Sequence, residues 1–366
     1  MNFANDFQTK ILNEKHTPMI FFNLHGVTFQ ILQCPCPLVE RLEKFSKRFT
    51  NEPEKINATI KGIFLSNRSS ILNKQIQDLK IKGEFSILYE GLKIYRYHEF
   101  TLYEHEESIL IANREQFSFK GFIAHSTLEN SIFFESIFFP FFIWEMLSLN
   151  HLYLIHAAAL KSPSGQGMLF AANGRQGKTT ITLSLLRNGY SFLSDDMVFL
   201  NQQNKVLPYP RDFHIDPILG KSFKELSFLS DLPAHFILNP KRKVGRKKIF
   251  DLYKEKEIQL LNEIDRVDFL LFPSLCPISQ SRLEILGKAQ ALAQLIPTSV
   301  LILFAEENTQ EHMETLKHLV EGAICFRFLL GKDFFHHPEN IPVFLEKNFI
   351  ELSHLEDRKH VSLSRG

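Results

Sequence analysis

The chain has 366 residues, of which 44% are hydrophobic and 23% charged, a composition that is ordinary for a folded globular protein and excludes a low-complexity or fibrous class. This length predicts two domains, or one large domain with a substantial extension. A net charge of +1, an N-terminus without a secretory signal and only four cysteines predict a cytoplasmic protein with structural thiols and without a nucleic-acid partner.

Residues 1–150 are predicted to form an α+β domain whose role the sequence does not indicate. The pattern from Ile20 to Leu32 predicts a hairpin with Gly26 near its turn. An amphipathic helix is predicted from Pro37 to Thr50, with Leu38, Leu42, Phe45 and Phe49 on one stripe. Short strands are expected at 86–89, 92–97 and 108–112.

The stretch from Ile132 to Leu147 is apolar enough to require a test for membrane insertion. It is about four residues short of the roughly 20 needed to span hydrocarbon, and it contains Glu135, Pro140 and Glu145. We predict a buried helix pair broken near Pro140 and no membrane span. Contact with a membrane interface is the alternative.

Leu152 to Leu160 is an apolar strand interrupted by His156, and a hairpin-type turn from Lys161 to Gly167 follows it. This strand is expected to lie beside the strand Met168 to Ala172, with the imidazole near a bound phosphate or metal. The residues support a buried histidine satisfied by a backbone group equally well.

A phosphate-binding loop is predicted after the strand Met168 to Ala172. Gly174 and Gly177 permit positive φ and close approach of main-chain N–H groups, and Lys178 opens a helix whose first-turn donors favour anions. Lys178 would reach the β- and γ-phosphates of a bound triphosphate. The predicted nucleotide-binding residues are Asn173, Gly174, Arg175, Gln176, Gly177, Lys178, Thr179 and Thr180.

Two carboxylates are expected to converge on this loop. The helix is predicted to end at Gly189, and Tyr190 to Ser194 to return as a strand that delivers Asp195 and Asp196. The Thr179 hydroxyl and both aspartates are the predicted Mg²⁺ ligands. The common pattern G-x-x-x-x-G-K-[ST] would have glycine at Ala172, so this position either has negative φ or the loop is recast. The alternative is an ordinary glycine-containing turn between core elements.

Four segments together resemble the kinase domain of HPr kinase/phosphorylase and its kinase-only relatives, which is also similar to the nucleotide domain of phosphoenolpyruvate carboxykinase. They are Leu154-Ile-His156-Ala-Ala, Gly174-Arg-Gln-Gly177-Lys178-Thr179, Asn188-Gly189-Tyr190 and Phe192-Leu-Ser-Asp195-Asp196. The resemblance covers residues 151 to about 335. Relatives usually have glycine at the positions of Ala172 and Arg175 and serine at that of Gly174.

The resemblance implies ATP- and Mg²⁺-dependent phosphorylation of a hydroxyl, typically serine, with His156 as a site residue and with Asp195 and Asp196 divided between metal ligand and general base. The glycine-arginine-asparagine segment of the bifunctional enzyme is not clearly present, which favours the kinase-only branch. Relatives also have a proline-arginine segment after the aspartates, and here it contains Arg211. A guanidinium there would stabilise a transferring phosphate, although a surface arginine is equally consistent with the residues.

The catalytic candidates are thus His156, Lys178, Asp195, Asp196 and Arg211. The basic run 241–248 is expected to be solvated and mobile, or to close over nucleotide. Strands at 267–273 and 323–330, and helices at 286–296, 310–320 and 340–349, complete an α/β domain over 151–350 with a mixed sheet and flanking helices, followed by a polar tail over 351–366.

The sequence thus predicts a kinase acting on a peptide, protein or small-molecule hydroxyl, with a ribosomally made peptide as one candidate. A nucleotide-binding regulatory or assembly protein without phosphotransfer, and a small-metabolite kinase, are the alternatives. A homo-oligomer is compatible with each.

Overall fold

The computed structural model describes residues 19–47, 49, 56–68, 70–87, 91–234, 241–256, 258–299 and 308–349. The protein is mixed α/β and divides into two compact units, Met1–His151 and Leu152–Gly366. The predicted tail 351–366 lies outside the described residues.

The first unit is built on an eight-stranded sheet of order β1-β2-β3-β8-β7-β6-β5-β4. Its strands are β1 Ile20–Leu24, β2 Val27–Gln33, β3 Ala58–Phe64, β4 Glu84–Ile87, β5 Lys93–Tyr97, β6 Phe100–His105, β7 Ser108–Asn113 and β8 Ser118–Phe122. The pairs β2-β3 and β3-β8 are parallel, and the remaining neighbours are antiparallel. The predicted hairpin is the β1-β2 pair, where Gly26 has φ 88° in the turn.

Aromatic side chains from two of the helices of this unit pack against the sheet. The helices are α1 Cys36–Ser46, α2 Ser70–Lys82, α3 His125–Glu129, α4 Ser131–Phe133 and α5 Phe139–Ser148. Phe22 and Phe45 meet Phe139 of α5, while Phe29 and Phe119 meet Phe142. Many of the 36 phenylalanines of the chain therefore form this core. Helix α1 ends at Ser46, so Phe49 is buried from beyond the helix rather than as part of its stripe.

The apolar stretch around Pro140 differs from the predicted broken helix pair. Phe134–Phe138 forms a π-helical turn that leads into α5 without a break, and Pro140 occupies the first turn of α5. Because Pro140 has no N–H group to donate, its position directly after the wider π-helical turn lets the helical run continue through it. In the part of the chain that the structure describes, no helix is long and apolar enough to cross a bilayer.

The second unit is organised around a six-stranded mixed sheet of order β12-β10-β11-β17-β19-β18, with smaller sheets β14-β13-β9 and β15-β16. The strands are β9 Tyr153–Ile155, β10 Ala157–Lys161, β11 Gly167–Ala171, β12 Ser191–Ser194, β13 Val198–Leu200, β14 Val206–Pro208, β15 Phe213–Ile215, β16 Arg242–Val244, β17 Phe269–Leu275, β18 Arg282–Ile285 and β19 Ile324–Leu330. Strand β11 is antiparallel to β10 and parallel to β17, and β17 is parallel to β19.

Helices cover both faces of this sheet. They are α6 Lys178–Arg187, α7 Arg246–Leu252, α8 Lys288–Leu295, α9 Thr309–Gly322 and α10 Lys332–His336, with a further helical run at 341–349. Because successive strand residues point to opposite faces, Leu271 packs in the same cluster as Ile181 of α6, and Leu270 in the cluster that contains α8 and α9 residues.

Two predictions differ from this fold. The strand around His156 divides between two sheets, and the basic run expected to be mobile forms β16 and the start of α7.

Candidate functional site

The loop between β11 and α6 has two residues with positive φ, Arg175 and Gly177. Gly177 has φ +90°, and a Cβ at this position would lie 2.7 Å from Leu330 Cδ1, so any other residue there would be strained. Ala172 does not have a positive φ and is buried, which explains why alanine is accepted. Arg175 has φ +66°, the conformation that glycine adopts most readily. The loop therefore keeps a glycine-type conformation at a position where it has arginine.

Lys178 is buried at the first position of α6, with 5% of its surface exposed. Its Nζ donates hydrogen bonds to the carbonyl oxygens of Ala172 at 2.6 Å and of Asn173 at 3.1 Å. Burial lowers the pKa of Lys178 to about 8, opposed by the negative charge of Asp196 and assisted by the positive charge of Lys241. The ammonium is thus folded back onto its own loop.

His156 lies at the junction where β9 ends in one sheet and β10 begins in another. Its main-chain N–H donates to Thr298 O at 2.8 Å, and its carbonyl accepts from Ala172 N at 3.3 Å. Its Nε2 lies 2.7 Å from Asp196 Oδ1 and 3.1 Å from Lys178 Nζ. The imidazole therefore stands between the loop lysine and one of the two aspartates.

Asp196 is held from two sides, because Arg211 Nη1 donates to its other oxygen, Oδ2, at 3.0 Å. Burial works to raise the pKa of Asp196, but His156, Arg211 and Lys178 outweigh it and hold the pKa well below its usual range. Asp195, which is 3% exposed, has its pKa raised to about 7 by burial and then by the charge of Asp196. The two neighbouring carboxyls therefore differ in protonation near neutral pH.

The proton on His156 follows from this arrangement. Ionised Asp196 can only accept, so the Nε2 atom of His156 carries a hydrogen and donates it to Asp196. In that tautomer Nε2 cannot also accept from Lys178, and the Nζ atom is held near it by the carbonyls of Ala172 and Asn173. A ligand anion that draws Lys178 away would relieve this contact.

Ser299 and His312 hold the strand that precedes His156, and no sequence motif identified them. Ser299 Oγ donates to Leu154 O at 3.0 Å, 145 residues away along the chain, and lies 2.6 Å from His312 Nε2. Burial lowers the pKa of His312 to about 4, so its ring is neutral and stacks on Tyr153. Since the hydroxyl hydrogen goes to Leu154 O, the His312 ring donates from Nε2. Residues 298 and 299 thus fix the backbone on both sides of Ile155.

The structure thus brings His156, Lys178, Asp195, Asp196 and Arg211 together. Thr179 and Thr180 lie half-buried in the first turn of α6, while Asn173, Gly174 and Arg175 are exposed on the loop. Gln176 turns to the other side, where its Oε1 accepts from Leu275 N at 3.1 Å.

The residues present fit a triphosphate and a divalent cation. Residues 173–175 of the loop are exposed, and a Cβ placed on Gly174 would meet nothing within 4 Å, so this part of the main chain is open to a ligand. Asp195 is buried beside ionised Asp196, and a bound cation would favour its charged form. Among the described residues, no group of three histidine, cysteine or acidic side chains forms a preformed metal cage. Mg²⁺ is compatible with such a site, because it is commonly held by one or two carboxylates together with substrate phosphates.

A scan against protein-family models and a search of curated proteins found no match to this chain.

Proposed function

We propose that this protein is an ATP- and Mg²⁺-dependent kinase that transfers the γ-phosphoryl group to a hydroxyl, with a serine of a peptide or protein as acceptor. One observation carries the proposal: His156 and Arg211 both donate to Asp196, and the loop lysine Lys178 lies 3.1 Å from the same His156 Nε2 atom. Phosphoryl transfer requires a phosphate cradle, a group that orients the acceptor and cations at the transferring group, and these residues provide candidates for each.

The phosphates would bind the loop from Asn173 to Thr180. Main-chain N–H groups at the start of α6 favour anions, and the Lys178 ammonium would leave the carbonyls of Ala172 and Asn173 for the phosphate oxygens. Mg²⁺ would be held by Thr179 and Asp195, and it supplies compensation of the phosphate charge. Cation binding would also return the pKa of Asp195 toward its usual range.

Asp196 is the group proposed to orient the acceptor hydroxyl and take its proton. Its side chain is 29% exposed, and it stays ionised because His156 and Arg211 donate to it. A base with a lowered pKa is weak, but a loose transition state needs an oriented hydroxyl more than a strong base. Arg211, bound to the same carboxylate, would stabilise negative charge on the transferring group.

The acceptor class rests on the resemblance of residues 151 to about 335 to the kinase-only relatives of HPr kinase. Those relatives include modifiers of ribosomally made peptides, which favours a serine in a short peptide over a small metabolite. The same resemblance supports an HPr kinase-like arrangement for the second unit.

The proposal is tested by binding and by transfer. We expect ATP to bind in a Mg²⁺-dependent manner, and labelled γ-phosphate to appear on serine in a library of serine-containing peptides. Lys178→Ala should weaken ATP binding at least tenfold, whereas Lys317→Ala, at an exposed lysine of α9, should not.

Asp196→Asn should leave ATP binding within about threefold and abolish transfer. Binding of ATP without transfer to any hydroxyl or to water would favour a nucleotide-binding regulator instead. Full ATP affinity in Lys178→Ala would contradict the site.

A further inference from the structure

We propose that the nucleobase of the bound nucleotide lies on the ends of β17 and β19, against the exposed side chain of Leu275. This inference deepens the proposed function and rests on it. It concerns the flank of the phosphate loop that the charged residues do not use.

The loop has two chemically different flanks, because β11 lies between β10 and β17 in the sheet. His156 precedes β10, and Asp195 and Asp196 follow β12, so the charged side chains lie on one flank. On the other flank, β17 and β19 end in Leu275 and Leu330, which pair with each other across the two strands. That flank is apolar.

Strand β17 extends past the end of β11 and lies beside the loop, and the leucines at the ends of β17 and β19 form what we call the apolar wall. Phe170 of β11 pairs with Leu271, and β17 continues to Leu275 while β11 ends at Ala171. Leu275 is four residues beyond that pairing, a distance of about 13 Å along a strand. The end of β17 therefore reaches the level of the loop itself.

Leu275 is exposed for a structural reason. Phe269 and Leu271 precede it at two-residue spacing and pack in the cluster that contains Ile181 of α6. Helix α6 begins only at Lys178, so it does not cover the end of this row, and 55% of Leu275 remains exposed. An aliphatic side chain is thus exposed beside a polar loop.

Contacts with the loop fix the positions of Leu275 and Leu330, which form this apolar wall. Leu275 N donates to Gln176 Oε1 at 3.1 Å. A Cβ on Gly177 would lie 3.7 Å from Leu275 Cδ2 and 2.7 Å from Leu330 Cδ1, so both leucines pack directly on the glycine backbone. The apolar surface is therefore formed before any ligand arrives.

The direction of the triphosphate follows from Lys178. Its Nζ lies 3.1 Å from His156 Nε2, so the β- and γ-phosphates that it binds lie toward the charged flank. The α-phosphate and the nucleoside then leave over the opposite flank. A flat nucleobase has apolar faces, and an exposed aliphatic wall beside the phosphate cradle is a surface on which such a face is desolvated.

The test compares ATP with inorganic triphosphate, each titrated with Mg²⁺ into the full-length protein by calorimetry. We expect the natural chain to bind ATP more tightly than inorganic triphosphate. Leu275→Asn removes apolar surface without adding charge, and it should weaken ATP binding roughly five- to tenfold with the triphosphate affinity unchanged. Ile285→Asn is the matched control, because Ile285 is 65% exposed on the same sheet and pairs with Phe326 rather than with the end of β19.

Equal affinities for ATP and triphosphate, or an unchanged ATP affinity in Leu275→Asn, would overturn the inference while the phosphate site stands. No binding of either compound would overturn the proposed function and this inference together. As a second measurement, crosslinking with 8-azido-ATP should label the peptide that contains Leu275. Labelling confined to peptides of the first unit would also overturn the inference.

Discussion

Asp195 and Asp196 are adjacent in the chain, yet their pKa values move in opposite directions. Asp196 accepts from His156 Nε2 and Arg211 Nη1, and these partners favour its charged form. Asp195 is buried beside that charge, and its pKa rises to about 7. Because the two carboxyls have different partners, Asp196 stays ionised, whereas Asp195 would gain its charge more readily if a cation bound beside it.

Asp195→Asn is expected to stabilise the protein while abolishing transfer. A carboxyl whose folded pKa is raised gives stability that is lost as pH rises from its unfolded pKa to about 7, and asparagine avoids this loss. At about 1.4 kcal/mol per pH unit, the gain in unfolding free energy at pH 8 is up to about 4 kcal/mol, and it is smaller at pH 5. Urea unfolding at both pH values measures this gain in unfolding free energy, and Asp231→Asn, at an exposed aspartate, is the control. Equal gains at pH 5 and pH 8 would argue against an ionised Asp195 at pH 8.

Because of Lys178, the affinity for ATP should decrease at alkaline pH. Its pKa of about 8 means that the amine loses its proton as pH rises above that value, and the affinity should fall by up to about tenfold per pH unit toward pH 10. Calorimetry from pH 7.5 to 10 measures this dependence. Lys178→Arg keeps a charge throughout the range and should remove it. A natural chain whose ATP affinity is constant over this range would contradict the assignment.

At the scale of elements, the loop before α6 shows which of its positions require a particular backbone conformation. Its strand, helix, Gly189 and second strand are where the sequence predicted them, because apolar runs and glycines mark them directly. The sequence could not tell whether Ala172 recasts the loop. The structure answers through φ: Ala172 needs no glycine, whereas Arg175 adopts the left-handed conformation despite its side chain.

Gly177→Ala and Gly174→Ala form a matched pair for testing this loop. At Gly177, a positive φ and a Cβ 2.7 Å from Leu330 should cost about 1–3 kcal/mol of unfolding free energy. At Gly174, where a Cβ meets nothing within 4 Å and φ is not positive, alanine should change stability by less than about 1 kcal/mol. Denaturant unfolding of both variants decides, and equal losses would mean that φ at Gly177 does not restrict the loop.

Other features of the site were beyond sequence reasoning because they depend on long-range pairing. His156 changes sheet between β9 and β10, and an apolar run gives no sign of such a change. Ser299 and His312 contact the strand before His156 through hydrogen bonds between distant segments, and Leu275 lies beside the loop only because β17 extends past β11.

In the first unit, Pro140 suggested a broken helix, but the π-helical turn that precedes it keeps the segment helical.

At the scale of the whole molecule, each unit has its own sheets and its own buried core. Among the described residues, the strands of the eight-stranded sheet all precede His151, and the strands of the other three sheets all follow it. The five charged or polar residues of the proposed site all come from the second unit.

We expect residues 152–366, produced alone, to fold and to bind ATP with an affinity within about threefold of the full chain. The physical reason is that the strands, core clusters and phosphate loop of this unit are complete within it. Circular dichroism and calorimetry measure both properties, and Lys178→Ala in the same fragment is the control. A fragment that is unfolded at 25 °C would show that the unit depends on the first 151 residues.

If the protein is the kinase proposed above, the hydrogen bond from Ala172 N to His156 O bears on the order in which nucleotide and acceptor bind. It joins the first residue of the phosphate loop to the residue that holds Asp196, so a shift of the loop on nucleotide binding reaches the imidazole through one main-chain contact. The acceptor would meet a correctly placed carboxylate only after the nucleotide has settled the loop. Steady-state kinetics should accordingly show an ordered sequence, with nucleotide first and acceptor second.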